Sequence, residues 1–267
     1  MAINTVDDIA AAIAIDQFRP VLKNITVPKA IGSFQSSWLS VGFPGAGATP
    51  PAYTAGSGYT CDKSTVGAIA YVNGAVKNWL AQLFASSTIA GTLFIYDRLW
   101  SCSGMGFAAS TYTVTTPGSL PARITDNGIG CEIWVEQFVA AGSASGTLTV
   151  NYKNPADGAE AGIIPANVVS APVIGQMQPV PLQAGATGVR SIVSAVNSAT
   201  WTSGSWGLSI VKPVAQIELP LAGIGKTLDW AALGLPALVN DMCLFFIWQG
   251  GAATACQVLT RLRIIDK

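Results

Sequence analysis

The stretch TLFIYDRLWSCSGM, residues 92–105, contains the pattern that decides the fold. A run of large apolar and aromatic side chains is interrupted by Asp97 and Arg98 and continues with Leu99 and Trp100. Aromatic and β-branched residues favour strands, so the stretch predicts a β-strand. Successive side chains of a strand point to opposite faces, and Asp97 and Arg98 are therefore expected to have separate partners.

The two charges are interpreted as structural contacts rather than as an enzyme's site. Arg98 is expected to share a face with Phe94, Tyr96 and Trp100, where a guanidinium stacks favourably on an aromatic ring. Asp97 falls among apolar neighbours, and a carboxylate in such surroundings must be hydrogen-bonded or paired. We therefore name Asp97, Arg98 and Trp100 as candidate structural or interface residues.

Further β-strands are predicted along most of the chain. The apolar pattern of residues 76–87 could also be helical, but a strand is favoured because it would pair with the 92–100 run as a hairpin. Many short strands separated by Gly and Ser turns indicate an antiparallel sandwich or barrel, and we predict a mainly β, jelly-roll-like β-sandwich. The other strand candidates are residues 131–140, 146–154, 189–201, 205–220, 242–250 and 256–266.

The N-terminal part of the sequence has a different character. A short helix is predicted after Thr5, a plausible N-cap, and a second helical piece at residues 229–236. Residues 42–60 are dense in Gly, Pro, Ala and Ser, which is typical of a loop or an extended arm.

Aromatic residues such as Trp38 and Phe43 punctuate this region and would anchor an arm on another surface. The alternative is a long loop that packs on its own domain. We predict a helix and arm over residues 1–65 and a β-sandwich body over residues 66–267.

The composition narrows the range of partners. Charged residues make up 10% of the chain, against roughly 25% in typical domains, and the net charge is zero. Such a surface favours association, and it argues against nucleic acid as the main partner because phosphate binding needs a basic excess. The apolar stretch over residues 163–189 is interrupted by prolines and cannot be a spanning helix, so no membrane partner is expected.

Catalytic and metal-binding chemistry find little support. Histidine is absent, which removes the commonest general base and metal ligand. The five cysteines have no CxxC pairing and are interpreted as buried, reduced thiols. Glu132 and Glu136 would lie roughly 13 Å apart on one face of a strand, which is too far for a glycosidase pair, and we interpret them as solvent-facing. We predict no enzyme, no cofactor and no metal site.

Several segments of the sequence resemble a group of tailed-bacteriophage virion proteins. The matching motifs are Tyr-Asp-Arg-Leu at 96–99, Leu-Gln-Ala-Gly-x-Thr-Gly-Val-Arg at 182–190 and Ala-Leu-Gly-Leu-Pro at 232–236. The resemblance extends from about residue 30 to residue 250. Proteins of this group are described as structural head and decoration components, and they have no catalytic residues to carry over. Arg190, the last residue of the second motif, joins the structural candidates.

The resemblance implies a structural component of a virion that is assembled in the host cytoplasm. The favoured function is that of a capsid decoration or cement protein. Its partners would be copies of itself, in a homo-oligomer such as a trimer, and other capsid or virion proteins. One alternative is another shell, head-completion or tail subunit. A second is a carbohydrate-binding module for host attachment that uses Trp134, Trp201 or Trp206, and the least favoured is a glycan-cleaving enzyme.

Overall fold

The structure is a computed structural model that describes residues 5–13, 16–26, 28, 30–54, 59–75, 77–106, 108–114, 120–142, 146–165, 172–200 and 203–266. The helices within these ranges are α1 (Val6–Ile13) and α2 (Trp230–Leu233). The strands are β1 (Gln17–Ile25), β2 (Phe34–Ser36), β3 (Gly42–Phe43), β4 (Tyr59–Thr60), β5 (Asn78–Ser87), β6 (Gly91–Ser101), β7 (Ser110–Thr113), β8 (Glu132–Val139), β9 (Leu148–Lys153), β10 (Ala159–Ile164), β11 (Gln176–Pro179), β12 (Ser191–Asn197), β13 (Ser205–Leu219), β14 (Lys226–Asp229), β15 (Ala237–Leu238), β16 (Leu244–Gly250) and β17 (Cys256–Asp266).

Six of the described strands close into a barrel at the centre of the molecule. They pair in the order β13-β8-β11-β2-β16-β6, and β13 also pairs with β6, which completes the ring. The ladders are antiparallel. Closing a sheet on itself leaves no unpaired edge strand, so the barrel is protected from edge-to-edge association.

A second sheet contains the strands nearest to the two ends of the chain, and we call it the terminal sheet. Its strand order is β14-β5-β17-β1-β3, and β15 pairs with β5. The inner face contributes Val21, Leu83 and Leu262 to a core that also contains Ile95 and Phe246 of the barrel. The terminal sheet and this side of the barrel therefore form a two-layer sandwich.

A third sheet, the small sheet, covers another side of the barrel. Its order is β10-β9-β12-β7. Val150 and Ile192 of this sheet share a core with Ile133 of β8 and Ile210 of β13. The second half of β13 contributes Ile217 to the core under the terminal sheet. The barrel is thus the common wall of two sandwiches, and β13 is long enough to take part in both.

The prediction of a mainly β protein with antiparallel sheets in a sandwich arrangement and few short helices is confirmed. The helix predicted at residues 229–236 is α2. The Asp229 side chain accepts hydrogen bonds from the backbone N–H groups of Ala231 and Ala232, and Gly234 ends the helix in the left-handed conformation at φ 69°. In the described residues, no helix has the length and apolar character needed to span a bilayer.

The prediction of a hairpin between β5 and β6 was wrong. Strand β5 pairs with β17, β14 and β15 in the terminal sheet, whereas β6 belongs to the barrel. The turn between the two strands carries the chain from one layer to the other. Leu83 of β5 and Leu93 of β6 consequently lie in the same core and face each other across the sandwich.

Part of the predicted N-terminal arm is a strand of the terminal sheet. Residues 17–25 pair with residues 256–264 of β17 along the whole of β1. Val21 and Ile25 are buried in the core beneath this sheet. The division of the chain at residue 65 stays a prediction. It would assign β1 and β17 to different domains, although these strands are hydrogen-bonded neighbours.

Candidate assembly surface and buried charge network

Asp97 is fully buried and is held by groups from two other parts of the chain. Its carboxylate accepts hydrogen bonds from Arg123 Nε at 2.9 Å and Nη2 at 3.0 Å, and from the backbone N–H of Cys243 at 2.8 Å. Arg123 Nη2 also donates to the carbonyl oxygens of Cys61 at 2.7 Å and Arg98 at 3.2 Å. Arg123 therefore joins β6 to the segment that follows β4.

Arg98 points into the barrel and pairs with Glu136 of β8. Arg98 Nη2 lies 2.6 Å from Glu136 Oε2, and neither side chain is exposed. The guanidinium carbon lies 4.5 Å from the centre of the Trp38 ring and 5.5 Å from that of Phe245. Taking two charges out of water is costly, and stacking on these rings offsets part of that cost.

The pKa values of this network reflect burial first and charge second. Burial raises the pKa of Asp97, and the hydrogen bonds and charge of Arg123 only partly oppose that rise. Burial lowers the pKa of Arg98, but the charge of Glu136 and its hydrogen bond, together with the two nearby cysteines, outweigh burial, so the pKa of Arg98 is raised. Because both guanidinium groups stay protonated at neutral pH, the network holds strands together and is not suited to moving protons.

The separate partners of Asp97 and Arg98 agree with the alternation of a strand, but the predicted stack of Arg98 on Trp100 was wrong. The ladder between β13 and β6 is irregular here, since Ile210 is opposite Trp100 and Val211 is opposite Arg98. This bulge interrupts the alternation. Trp100 lies in the core beneath the small sheet, and Arg98 stacks on Trp38 and Phe245 instead.

The interpretation of Glu136 as solvent-facing was wrong as well. The face of β8 that carries Glu132, Trp134 and Glu136 points to the barrel interior, because the ring of strands closes over it. Glu132 is only partly buried and accepts hydrogen bonds from Tyr96 Oη at 3.2 Å and Trp134 Nε1 at 2.8 Å. Both carboxylates are thus bound to protein groups.

Trp38 lies in the barrel interior, where it is 1% exposed, and it therefore does not anchor an arm on another surface. Its indole Nε1 donates to the carbonyl oxygen of Ala48 at 2.9 Å. That bond holds the start of the Gly- and Pro-rich segment against the barrel. The alternative reading of this region, a loop that packs on its own domain, describes Trp38 correctly.

Arg190 lies at the surface at the end of the 182–190 motif. Its backbone N–H donates to the carbonyl oxygen of Lys153 at 2.8 Å, and its Nη1 lies 3.5 Å from Asp157 Oδ1. The motif's Gly188 has φ 155°, and a Cβ at this position would lie 2.1 Å from the carbonyl oxygen of Gly128. Glycine is required there because the two loops approach closely.

Exposed apolar side chains gather on the outer face of the terminal sheet. Phe18 and Leu22 of β1 are 49% and 40% exposed, and Phe43 of β3, directly opposite Leu22, is 63% exposed. The guanidinium carbon of Arg261 in β17 lies 5.8 Å from the ring centre of Phe18 and 5.4 Å from that of Phe84 in β5. We call these five residues the apolar face.

Another part of the same outer surface is covered by the helices. Ile9 and Ala12 of α1 form a small core with Ala81 of β5 and Ile265 of β17, and Trp230 of α2 packs against it. The apolar face is thus the uncovered continuation of a surface that already packs against helices. Contiguous exposed apolar surface marks an interaction site in soluble proteins.

Two of the three tryptophans considered for sugar binding are buried. Trp134 and Trp206 are each 3% exposed, and Trp206 Nε1 donates to the carbonyl oxygen of Gly106 at 2.8 Å. Trp201 lies outside the described residues. Neither described ring presents a face on which a sugar could stack.

All five cysteines lie in the described part of the chain, and all are buried with no disulfide between them. Among the described residues, no group of three or more His, Cys, Asp or Glu side chains is arranged to hold a metal ion. The buried charges of Asp97, Arg98 and Glu136 are each paired with an opposite charge.

No family model and no curated protein matches the chain. Among solved structures, the chain is similar to a structure of the Gx strain of infectious bursal disease virus, with 10% identity over 93% of this chain and 80% of that chain and a TM-score of 0.21. It is also similar to the crystal structure of the VP2 subviral particle of infectious bursal disease virus, with 9% identity over 94% and 80% of the two chains and a TM-score of 0.19. TM-scores this low do not establish a shared fold.

Proposed function

We propose that this protein is a structural component of a bacteriophage virion, that it acts as a capsid decoration protein, and that its copies associate through the apolar face. The observation that carries the proposal is the open patch formed by Phe18, Leu22 and Phe43 on the terminal sheet. In a chain with zero net charge, no long-range repulsion opposes the contact of two such patches.

The buried charge network supports a structural rather than a catalytic role. Asp97 and Arg98 belong to the Tyr-Asp-Arg-Leu motif on which the resemblance to phage virion proteins rests. Their contacts with Arg123 and Glu136 tie β6 to a loop and to β8. Both charges of the motif are paired with other side chains of the same chain, and a motif of this kind suits a rigid shell component.

The test is the association state of the purified protein. Sedimentation velocity over a micromolar concentration series is expected to give a homo-oligomer, and the protein is expected to sediment with capsid shells. A monomer at every concentration that also ignores shells would contradict the proposal.

Copy number separates the favoured function from its alternatives. A decoration protein is expected in very many copies per particle, whereas a head-completion or tail subunit is expected in few. Quantitative mass spectrometry of purified particles measures this directly. Few copies together with oligomerisation would move the assignment to another virion component.

A further inference from the structure

Cys61 and Cys243 occupy neighbouring positions at a junction in the barrel wall. Strand β13 lies along one edge of β6 for its whole length. On the other edge, β16 pairs with β6 up to Asp97, and β4 pairs with Trp100 and Ser101. Strands β4 and β16 therefore lie end to end.

The two cysteines fill the gap between these strands. The N–H of Cys61 donates to the carbonyl oxygen of Leu99 at 3.3 Å, and the N–H of Arg98 donates to the carbonyl oxygen of Cys243 at 2.9 Å. Because Arg98 and Leu99 are consecutive in β6, Cys61 and Cys243 stand side by side although they are distant in sequence.

Their side chains meet inside the barrel. Both residues are 0% exposed and belong to the same core cluster. Each thiol affects the pKa of the other, as expected of side chains that lie close together. Neighbouring positions along a strand differ by roughly 3.3 Å in rise, so little movement brings the Cα atoms into the range of about 4.4–6.8 Å that a disulfide needs.

The surroundings make the two sulfurs chemically unequal. Burial raises the pKa of Cys61, but the hydrogen bond with Cys243 and the charges of Arg98 and Arg123 outweigh it, so its pKa is lowered. Burial and the neighbouring Cys61 raise the pKa of Cys243 well above its usual range. The thiolate is the nucleophile in disulfide exchange, and the nearby guanidinium groups of Arg98 and Arg123 favour it at Cys61.

We propose that Cys61 and Cys243 form an intramolecular disulfide in an oxidising medium and that this bond locks β4 to β16. With oxidised glutathione as the oxidant, the Cys61 thiolate attacks one of its sulfurs, forms a mixed disulfide and releases one glutathione thiolate. Cys243 then loses its proton and attacks the Cys61 sulfur, which releases the second glutathione. The protein gives up two electrons, and one disulfide is reduced to two thiols.

The consequence is a protein that is more stable outside the cell than inside it. Thiols remain reduced in the cytoplasm, whereas extracellular media allow disulfides to persist. The bond would close a loop over most of the chain and so restrict the unfolded state. This chemistry is independent of any role in a virion.

The experiment uses the reduced full chain incubated with oxidised glutathione. Non-reducing chymotryptic peptide mapping is expected to find Cys61 linked to Cys243, and the melting temperature is expected to rise by roughly 5–15 °C and to return after reduction. Because both sulfurs are buried, the reaction is expected to be slow and to accelerate in mild denaturant.

Variants provide the matched comparison. Cys61→Ser and Cys243→Ser are expected to lose the oxidation-dependent rise in melting temperature, whereas Cys256→Ser, at a buried cysteine of the terminal sheet, is expected to keep it. Peptide mapping of the unsubstituted chain gives a result even where a variant fails to fold. Thiols that persist in mild denaturant, linkage to a different cysteine, mixed disulfides alone or a lower melting temperature would each overturn the proposal.

Discussion

Asp97 and Arg98 are adjacent in the chain but stabilise different contacts. Arg98 and Glu136 join β6 to β8 inside the barrel, and Asp97 and Arg123 join β6 to the segment around Cys61. Neither charge is the main electrostatic partner of the other. The two pairs therefore form separate energetic units.

Arg98→Met is expected to lower the free energy of unfolding by about 3–5 kcal/mol, because it leaves Glu136 buried without a counter-charge. Glu136→Leu is expected to cost a similar amount. The double variant is expected to cost far less than the sum, since no unpaired charge remains. Urea denaturation of the double-mutant cycle measures this, and the Arg98→Met and Asp97→Asn cycle is the control, expected to be additive within about 0.5 kcal/mol. Strong coupling in the control would show that the two pairs act as one unit.

Lys23 gives a stability difference that depends on pH. It is 1% exposed, its Nζ donates to the carbonyl oxygens of Ser40 and Gly45, and burial lowers its pKa to about 8. The unfolded chain has a lysine pKa of about 10.4, so it binds more protons than the native state between these values, and stability rises with pH there.

The free energy of unfolding, relative to that of Lys23→Met, is therefore expected to increase between about pH 8 and pH 10.4 by at most about 3 kcal/mol. Below pH 8 the difference should stay level. Urea titrations of both proteins at several pH values give the comparison. A difference that is flat throughout, or that falls with rising pH, would mean that Lys23 is not held in a desolvated site.

At this scale the sequence predicts that the two charges separate, but not which groups they meet. Glu136 reaches Arg98 only because β13 lies between β8 and β6 and the ring closes. Arg123 lies in an irregular segment, where no periodic pattern marks its side chain. The wrong prediction for Glu136 has the same origin. The alternation of side chains assigns residues to the two faces of a strand, but it does not show that other strands bury both faces.

At the scale of the elements, substitutions in β1 test whether residues 17–25 form an arm or a strand of the folded body. Val21 is 0% exposed, and its neighbour Leu22 is 40% exposed on the opposite face. Val21→Ala is expected to lower the free energy of unfolding by about 2 kcal/mol through the cavity that it leaves. Leu22→Ala is expected to change it by less than about 0.5 kcal/mol, as at other surface positions. Equal and small effects in urea denaturation would mean that β1 is not part of the folded body.

The identity of the strands follows from sequence more readily than their pairing. Residues 92–100 are predicted as a strand from their aromatic and β-branched composition, and residues 76–87 as a strand because they could pair with that run. Two consecutive strands with apolar faces can pair in one sheet or stack across two layers, and both arrangements bury the same side chains. Only the partners from residues 205–219 and 256–266 decide between them.

At the scale of the whole molecule, a charge placed on the apolar face tests the proposed self-association. Phe43→Asp is expected to weaken association at least 10-fold, because losing a central aromatic contact typically costs 2 kcal/mol or more. Its melting temperature should stay unchanged, since the side chain is 63% exposed. The control is Ile163→Asp on the small sheet, where the side chain is 53% exposed. Sedimentation that is unaffected by the first change, or equally affected by both, would place the interface elsewhere.

The pairing of β1 with β17 has a consequence for the time order of synthesis. Strand β17 lies between β1 and β5, so neither strand has this neighbour until the ribosome has delivered residues 256–266. At roughly 5–20 residues per second, a nascent chain holds β1 without its β17 partner for on the order of 10–50 s. Phe18, Phe84 and Arg261 belong to these three strands, so the surface they share does not exist before that moment. In the proposed self-association, a chain would therefore be able to join other copies only after its synthesis is nearly complete.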